Sequence, residues 1–124
     1  MKKPDVGYER RAQVIRVVDG DTVILDIDNG FNQWLRNERC RLIGIDAPEP
    51  RGPTRQAGLD AKHHLEKMVE QYAWNGSGLL LIESHQEGKG KWNRWLVELF
   101  GNRDGEVFSM NRSMVEDGHA EVYV

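Results

Sequence analysis

The sequence predicts an α+β fold, mainly β. Five short strands in a meander close, fully or in part, into a small barrel, with one helix after the third strand and a short second helix near the end. Three observations predict it. Short runs rich in Val, Ile and Leu recur between clusters of Gly, Asp and Asn. Ala57, Ala61, Leu65, Met68, Val69 and Tyr72 recur at helical spacing. The chain of 124 residues can bury one core without disulfides or metals and is too short for two. Residues 12–124 are therefore expected to form one domain, with residues 1–11 a flexible leading segment.

Taken in order, Ala12 to Val18 carries Val14, Ile15, Val17 and Val18 and reads as the first strand, and Thr22 to Ile27 as the second. Between them, Asp19-Gly20 is a strong hairpin signal because both positions tolerate positive φ. Asp28-Asn29-Gly30 makes the next turn, and Phe31 to Asn37 is a polar excursion. The third strand centres on Leu42, Ile43 and Ile45 and is stopped by Pro48, which has no N–H to donate. Arg51 to Thr54 forms a loop with Thr54 as candidate N-cap of the long helix, which Asn75-Gly76-Ser77-Gly78 ends. His63 and His64 lie off the apolar stripe and are expected in solvent. Leu79 to Glu83 is the fourth strand, Ser84 to Asn93 a flexible surface loop, and Arg94 to Phe100 the fifth strand. Asn102 to Gly105 turns the chain toward Val107 and Phe108. Ser109 or Asn111 can cap the short helix of Met110, Met114 and Val115, closed by Gly118, and Val122 to Val124 is a last extended segment.

Composition narrows the function classes. Cys40 is the only cysteine, which excludes an internal disulfide and a thiolate zinc cluster and reads as a strand residue. No stretch approaches membrane-spanning length, and Met1 to Arg11 has charges without the apolar region of a signal peptide. A cytoplasmic or host-intracellular chain is expected, with secretion remaining possible behind a removed leader. Net charge is −3, so a polyanion would have to be met locally rather than by bulk electrostatics. Arg36, Arg39, Arg41, Arg51 and Arg55 gather around the third strand and permit such a contact.

Chemistry concentrates at the exit of that strand. Cys40 to Glu49, C-R-L-I-G-I-D-A-P-E, delivers Arg41, Asp46 and Glu49 to one end of an apolar run. Asp19 and Asp21 add a second acidic pair, which as a tight turn also has a purely structural reading. Arg41 and Asp46 are five residues apart, so an ideal strand would point them to opposite faces. A bulge or bend at Gly44 would bring them together. Crowded carboxylates raise one another's proton affinity, so neutralising Asp21 is expected to stabilise the metal-free fold.

Asp19-Gly20-Asp21-Thr22, then Arg41 followed by Asp46-Ala47-Pro48-Glu49, then Gly90-Lys91-Trp92-Asn93-Arg94 opening a later strand, together resemble the staphylococcal nuclease (thermonuclease-like) family. The resemblance runs from about Ala12 to Val122. It implies a five-stranded oligonucleotide-binding (OB-fold) barrel with two packed helices, lacking that family's C-terminal helix. It also implies Ca²⁺-dependent hydrolysis of DNA and RNA to 3′-phosphate ends, on single-stranded or unpaired substrate. By the same resemblance Asp21, Asp46 and the Ala47 carbonyl would hold Ca²⁺, with Asp19 acting through water. Glu49 would stand beside the attacking water, and Arg41 and Arg94 would bind phosphate, with Lys91 and Trp92 on the substrate. Departures stand out at two places: Ala47 replaces the common threonine, and Gly90, Trp92 and Asn93 replace the aspartate, tyrosine and glycine of the usual Asp-Lys-Tyr-Gly-Arg before the strand. A catalytically inactive barrel that only binds nucleic acid or protein is the competing class.

Overall fold

The computed structural model describes residues 9–74, 78–90 and 94–123, with the side chains of 86–90 and 94 outside that description. Its strands are β1 (Glu9–Asp19), β2 (Thr22–Asp28), β3 (Trp34–Leu42), β4 (Ile45–Asp46), β5 (Leu79–Gly90), β6 (Arg94–Arg103), β7 (Glu106–Ser109) and β8 (Glu121–Val122). Helix α1 spans Arg55–Gln71 and α2 spans Met110–Glu116. The sheet order is β3-β2-β1-β5-β6-β7, and β3 also pairs with β6, so five strands close into a barrel with β7 added outside. The expected OB-type barrel with two packed helices is present.

Closure rests on a short parallel seam in which Cys40, Arg41 and Leu42 run beside Trp95, Leu96 and Val97. All other strand pairs are antiparallel. Inside, Val23, Leu25, Leu42, Leu80, Ile82, Val97 and Leu99 are fully buried, alternating with outward residues as a barrel requires. Helix α1 lays Gly58, Ala61, Leu65 and Met68 onto this core, while Ala57, expected on that stripe, is exposed. Each fully buried Leu is worth roughly 1.5–3 kcal/mol of transfer free energy, so the helix is held by packing more than by its own propensity.

Several boundaries differ from the sequence expectation, each for a physical reason. The polar excursion before the third strand is strand from Trp34 onward. Asp26 organises it, accepting the Asn37 N–H at 2.8 Å and an Arg36 Nη1–H at 2.9 Å, so a polar segment still makes a ladder. The third strand does not reach Ile45. Gly44 adopts φ +82°, the chain breaks at Ile43-Gly44, and Ile45–Asp46 pairs instead with Val122 and Glu121 of β8. The expected surface loop 84–93 is strand through Gly90, which pairs with Arg94 after an irregularity between Ser84 and Lys89. Thr54 makes no side-chain cap; its hydroxyl donates to the Glu49 carbonyl at 2.8 Å. Ser109 does cap α2, accepting the Arg112 N–H at 3.2 Å. The long helix ends at Gln71, ahead of Asn75 to Ser77, which lie outside the described residues.

Candidate functional site

The β1–β2 turn is set by close packing rather than by left-handed backbone, because neither Gly20 nor Asp21 has positive φ. A Cβ on Gly20 would stand 2.8 Å from the Cβ atoms of both Ala47 and Ala61. Only glycine lets this turn press against the β4 loop and α1. That approach brings Asp21 to the exit of β3.

Asp21 is almost wholly buried, and its carboxylate is fully engaged. One oxygen accepts the Thr22 hydroxyl at 3.0 Å; the other accepts the Ala47 N–H at 2.9 Å and lies 3.1 Å from Arg41 Nη1. Arg41 Nη2 donates to the Ile45 carbonyl at 3.0 Å and lies 3.6 Å from Asp46. One guanidinium thus bridges the two acids across the break at Gly44. The expected meeting of Arg41 and Asp46 occurs through a bend at Gly44, the second of the two ways expected. The ring of Tyr123, carried on the segment after β8, lies 5.4 Å from the Arg41 guanidinium carbon.

Asp19, half-buried, completes the pair, its carboxylate accepting the Asp21 N–H at 3.2 Å. Burial, then the hydrogen bond and negative charge of Asp21, push Asp19 up to about 6. Burial also acts to raise Asp21. The hydrogen bonds from Asp19, Ala47 and Thr22 and the charge of Arg41 outweigh it and hold Asp21 below the usual carboxylate range. The crowding expected of these acids is therefore resolved by a split, Asp19 keeping its proton to a higher pH than usual while Asp21 stays ionised.

Glu49 stands apart. Its side chain is 68% exposed and pairs with Arg51 at 3.4 Å, turned to a neighbour on its own loop. Arg94 begins β6 one residue before Trp95, which pairs with Cys40, and two residues before Leu96, which pairs with Arg41. Its side chain, and Lys91 and Trp92, lie outside the described residues. Beside Asp46, a cleft of about 290 Å³ opens between Asp46-Ala47-Pro48 and the segment from Gly118 to Glu121.

The donors fit a hard divalent cation in kind: two carboxylates and a main-chain carbonyl, without thiolate or imidazole. Among the described residues no three acidic, histidine or cysteine side chains are already gathered for an ion. Room at Asp21 would come from the Arg41 contact, since its remaining partners are fixed by backbone or by an adjacent residue.

Sequence reading missed three participants. Thr22 was legible only as a strand residue, although a hydroxyl directly after an aspartate is placed to donate to it. Asn111, read only as a helix cap, is buried; its amide donates to the Ile43 and Val97 carbonyls at 2.9 and 3.1 Å and accepts the Leu99 N–H at 3.0 Å. It pins the chain break that lets Arg41 reach Asp46. His64, expected in solvent, bonds Asp117 at 2.7 Å and stacks on His119 with ring centroids 4.4 Å apart, tying α1 to the chain after α2.

No family model matches the chain. It is 39% identical over 115 residues to a thermonuclease of Staphylococcus hyicus, covering 90% of this chain and 59% of that protein. It is 35% identical over 87 residues to a thermonuclease of Staphylococcus intermedius, covering 68% of this chain and 45% of that protein. An uncharacterized protein of Methanocaldococcus jannaschii is 27% identical over 131 residues, covering 90% of this chain and 58% of the relative. The chain thus spans between 45% and 59% of the length of these curated relatives.

Proposed function

We infer that this chain is a thermonuclease-like nuclease, hydrolysing phosphodiester bonds of DNA and RNA to leave 3′-phosphate ends, with single-stranded or unpaired strands preferred. Supporting this reading are its likeness to two thermonucleases and, above all, the Arg41 guanidinium laid between Asp21 and Asp46. Ca²⁺, held by Asp21, Asp46 and the Ala47 carbonyl, with Asp19 through water, would neutralise the non-bridging oxygens of the scissile phosphate.

The chain's own residues supply the rest. Arg41 presents a planar fork, already fixed by the Ile45 carbonyl, that matches two phosphate oxygens. Arg94, entering on the neighbouring strand, would give a second fork, so that two guanidiniums meet the charge that builds up in the transition state. Glu49 is the exposed carboxylate of the same loop and would take the proton of the attacking water after leaving Arg51. Lys91 would meet backbone phosphate and Trp92 would stack on a base. Binding without catalysis is the competing reading, and Glu49 turned toward Arg51 is the observation that favours it.

End-labelled single-stranded DNA and RNA, incubated with the protein in Ca²⁺ and in chelator, separate the two. Cleavage in Ca²⁺ only, with kcat of Arg41→Lys down by about 100-fold or more, is expected, because a point charge replaces a two-pronged donor. Undiminished cleavage in chelator removes the metal. No cleavage of either strand in Ca²⁺ leaves the binding-only reading.

A further inference from the structure

Away from the acids, the outward face of β1, β2 and β3 carries charge and apolar surface that the fold leaves unused. Arg16 and Arg39 flank Ile24 in the strand register, on the face opposite the buried Val17, Val23 and Cys40. Both arginines are exposed, and neither has a hydrogen-bond or ion-pair partner among the described residues. The acids nearby are engaged: Asp26 holds Arg36 and the Asn37 N–H, and Asp28 holds Arg11 at 3.5 Å and the Gly30 N–H at 2.9 Å. Strand alternation places Arg39 on the same side of β3 as Arg41, two residues away. The face is thus continuous with the candidate site.

The far end of the β2–β3 hairpin is unusual. Gly30, Phe31 and Asn32 follow one another at φ +82°, +54° and +60°, and Phe31 is 99% exposed. Left-handed backbone at an aromatic residue is unfavourable, and burial of the ring does not offset it here. Close by, Trp34 lies 5.0 Å from the Arg36 guanidinium. Unpaired guanidiniums leading to an exposed ring are the elements that hold a nucleic-acid strand without regard to sequence.

We propose that this face is a binding surface for single-stranded nucleic acid, with Arg16 and Arg39 taking backbone phosphates and Phe31 stacking on a base further along. From Arg41 to Trp34 the strand runs beside Thr22 to Asp28, about 20 Å at the usual rise, so only a substrate several nucleotides long reaches the tip. The proposal rests on the reading that this chain acts on nucleic acid. It adds that long and short substrates are distinguished away from the chemistry.

Fluorescence anisotropy with a labelled 20-residue oligothymidylate, in chelator so that the strand survives, measures the surface directly. Arg16→Ser/Arg39→Ser is expected to weaken binding about tenfold and to lower the salt slope by about 1.4, the value for two single-strand phosphate contacts. Phe31→Ser is expected to weaken it about fivefold with the salt slope unchanged. Neither change touches the core, so melting temperature and the Ca²⁺-dependent hydrolysis of a labelled dinucleotide should stay at wild-type values. Wild-type affinity for the 20-mer in both variants overturns the proposal, as does an equal loss of dinucleotide hydrolysis. So does a wild-type dimer that Phe31→Ser makes monomeric without altering 20-mer binding. If the wild type cuts no dinucleotide but the variants still lose 20-mer binding, the nuclease reading fails and the surface stands.

Discussion

Asp19 and Asp21 are two residues apart, the first half-buried and the second buried, and their proton affinities shift in opposite directions. Asp19, raised to about 6, keeps its proton in the folded chain after the unfolded chain has lost it. Metal-free stability therefore falls as pH rises from about 4 to about 6 and stays lower above that. Asp19→Asn removes this loss while retaining an oxygen for the Asp21 N–H and a donor toward Asp21. After discounting for partial exposure, the variant should gain about 1 kcal/mol, near 4 °C in Tm, at pH 7.5 in chelator. At pH 4 it should gain almost nothing, and calorimetry at the two pH values checks both. Asp21→Asn has the opposite sign, because Asp21 is held ionised by Arg41 and three hydrogen bonds, so its neutralisation destabilises the metal-free fold. Sequence reading saw acids close together and inferred mutual repulsion. What it could not see were the donors, since the Ala47 N–H and Thr22 hydroxyl reach Asp21 only after folding.

At the scale of elements, α1 and the Pro48–Arg51 loop meet at one glycine. A Cβ on Gly58 would overlap the Glu49 carbonyl and the Pro50 nitrogen, which are backbone and cannot swing away. Alanine is the better helix former by about 1 kcal/mol, yet Gly58→Ala should destabilise by about 1–3 kcal/mol, because the clash outweighs the propensity. The same change would push the loop carrying Glu49 outward, and chemical denaturation beside an activity assay measures both effects. A stabilised variant would show that α1 can slide on this loop. The helix itself was legible from its apolar spacing, but Gly58 was not, since a position that must be empty leaves no periodic signal. Likewise the break at Ile43-Gly44 was visible only as a glycine in an apolar run. The strand character of residues 84–90 was hidden because its polar residues lack the usual alternation.

For the molecule as a whole, five strand segments and two helices could be read from the chain, because each declares itself over a few neighbouring residues. The closure could not. Cys40 pairs with Trp95 and Ile45 with Val122 across long stretches of sequence, and nothing local marks these partners. The seam is three residue pairs long, reinforced by the Ile43 N–H to Val97 carbonyl bond at 2.9 Å and by Asn111. Native-state amide exchange should therefore show Ile43 exchanging faster than Leu25, which sits in the longer β1–β2 ladder. Equal protection at both would mean that the barrel opens only by global unfolding. The seam has a further consequence during synthesis on the ribosome. Every proposed acid precedes residue 50, but the strand that shuts the barrel behind them leaves the ribosome some fifty residues later. Until then the emerging chain carries its carboxylates without the architecture that brings Arg41 and β6 side by side. A nascent chain therefore holds Asp21, Arg41 and Asp46 without the β3–β6 seam until the last third of the chain is being made.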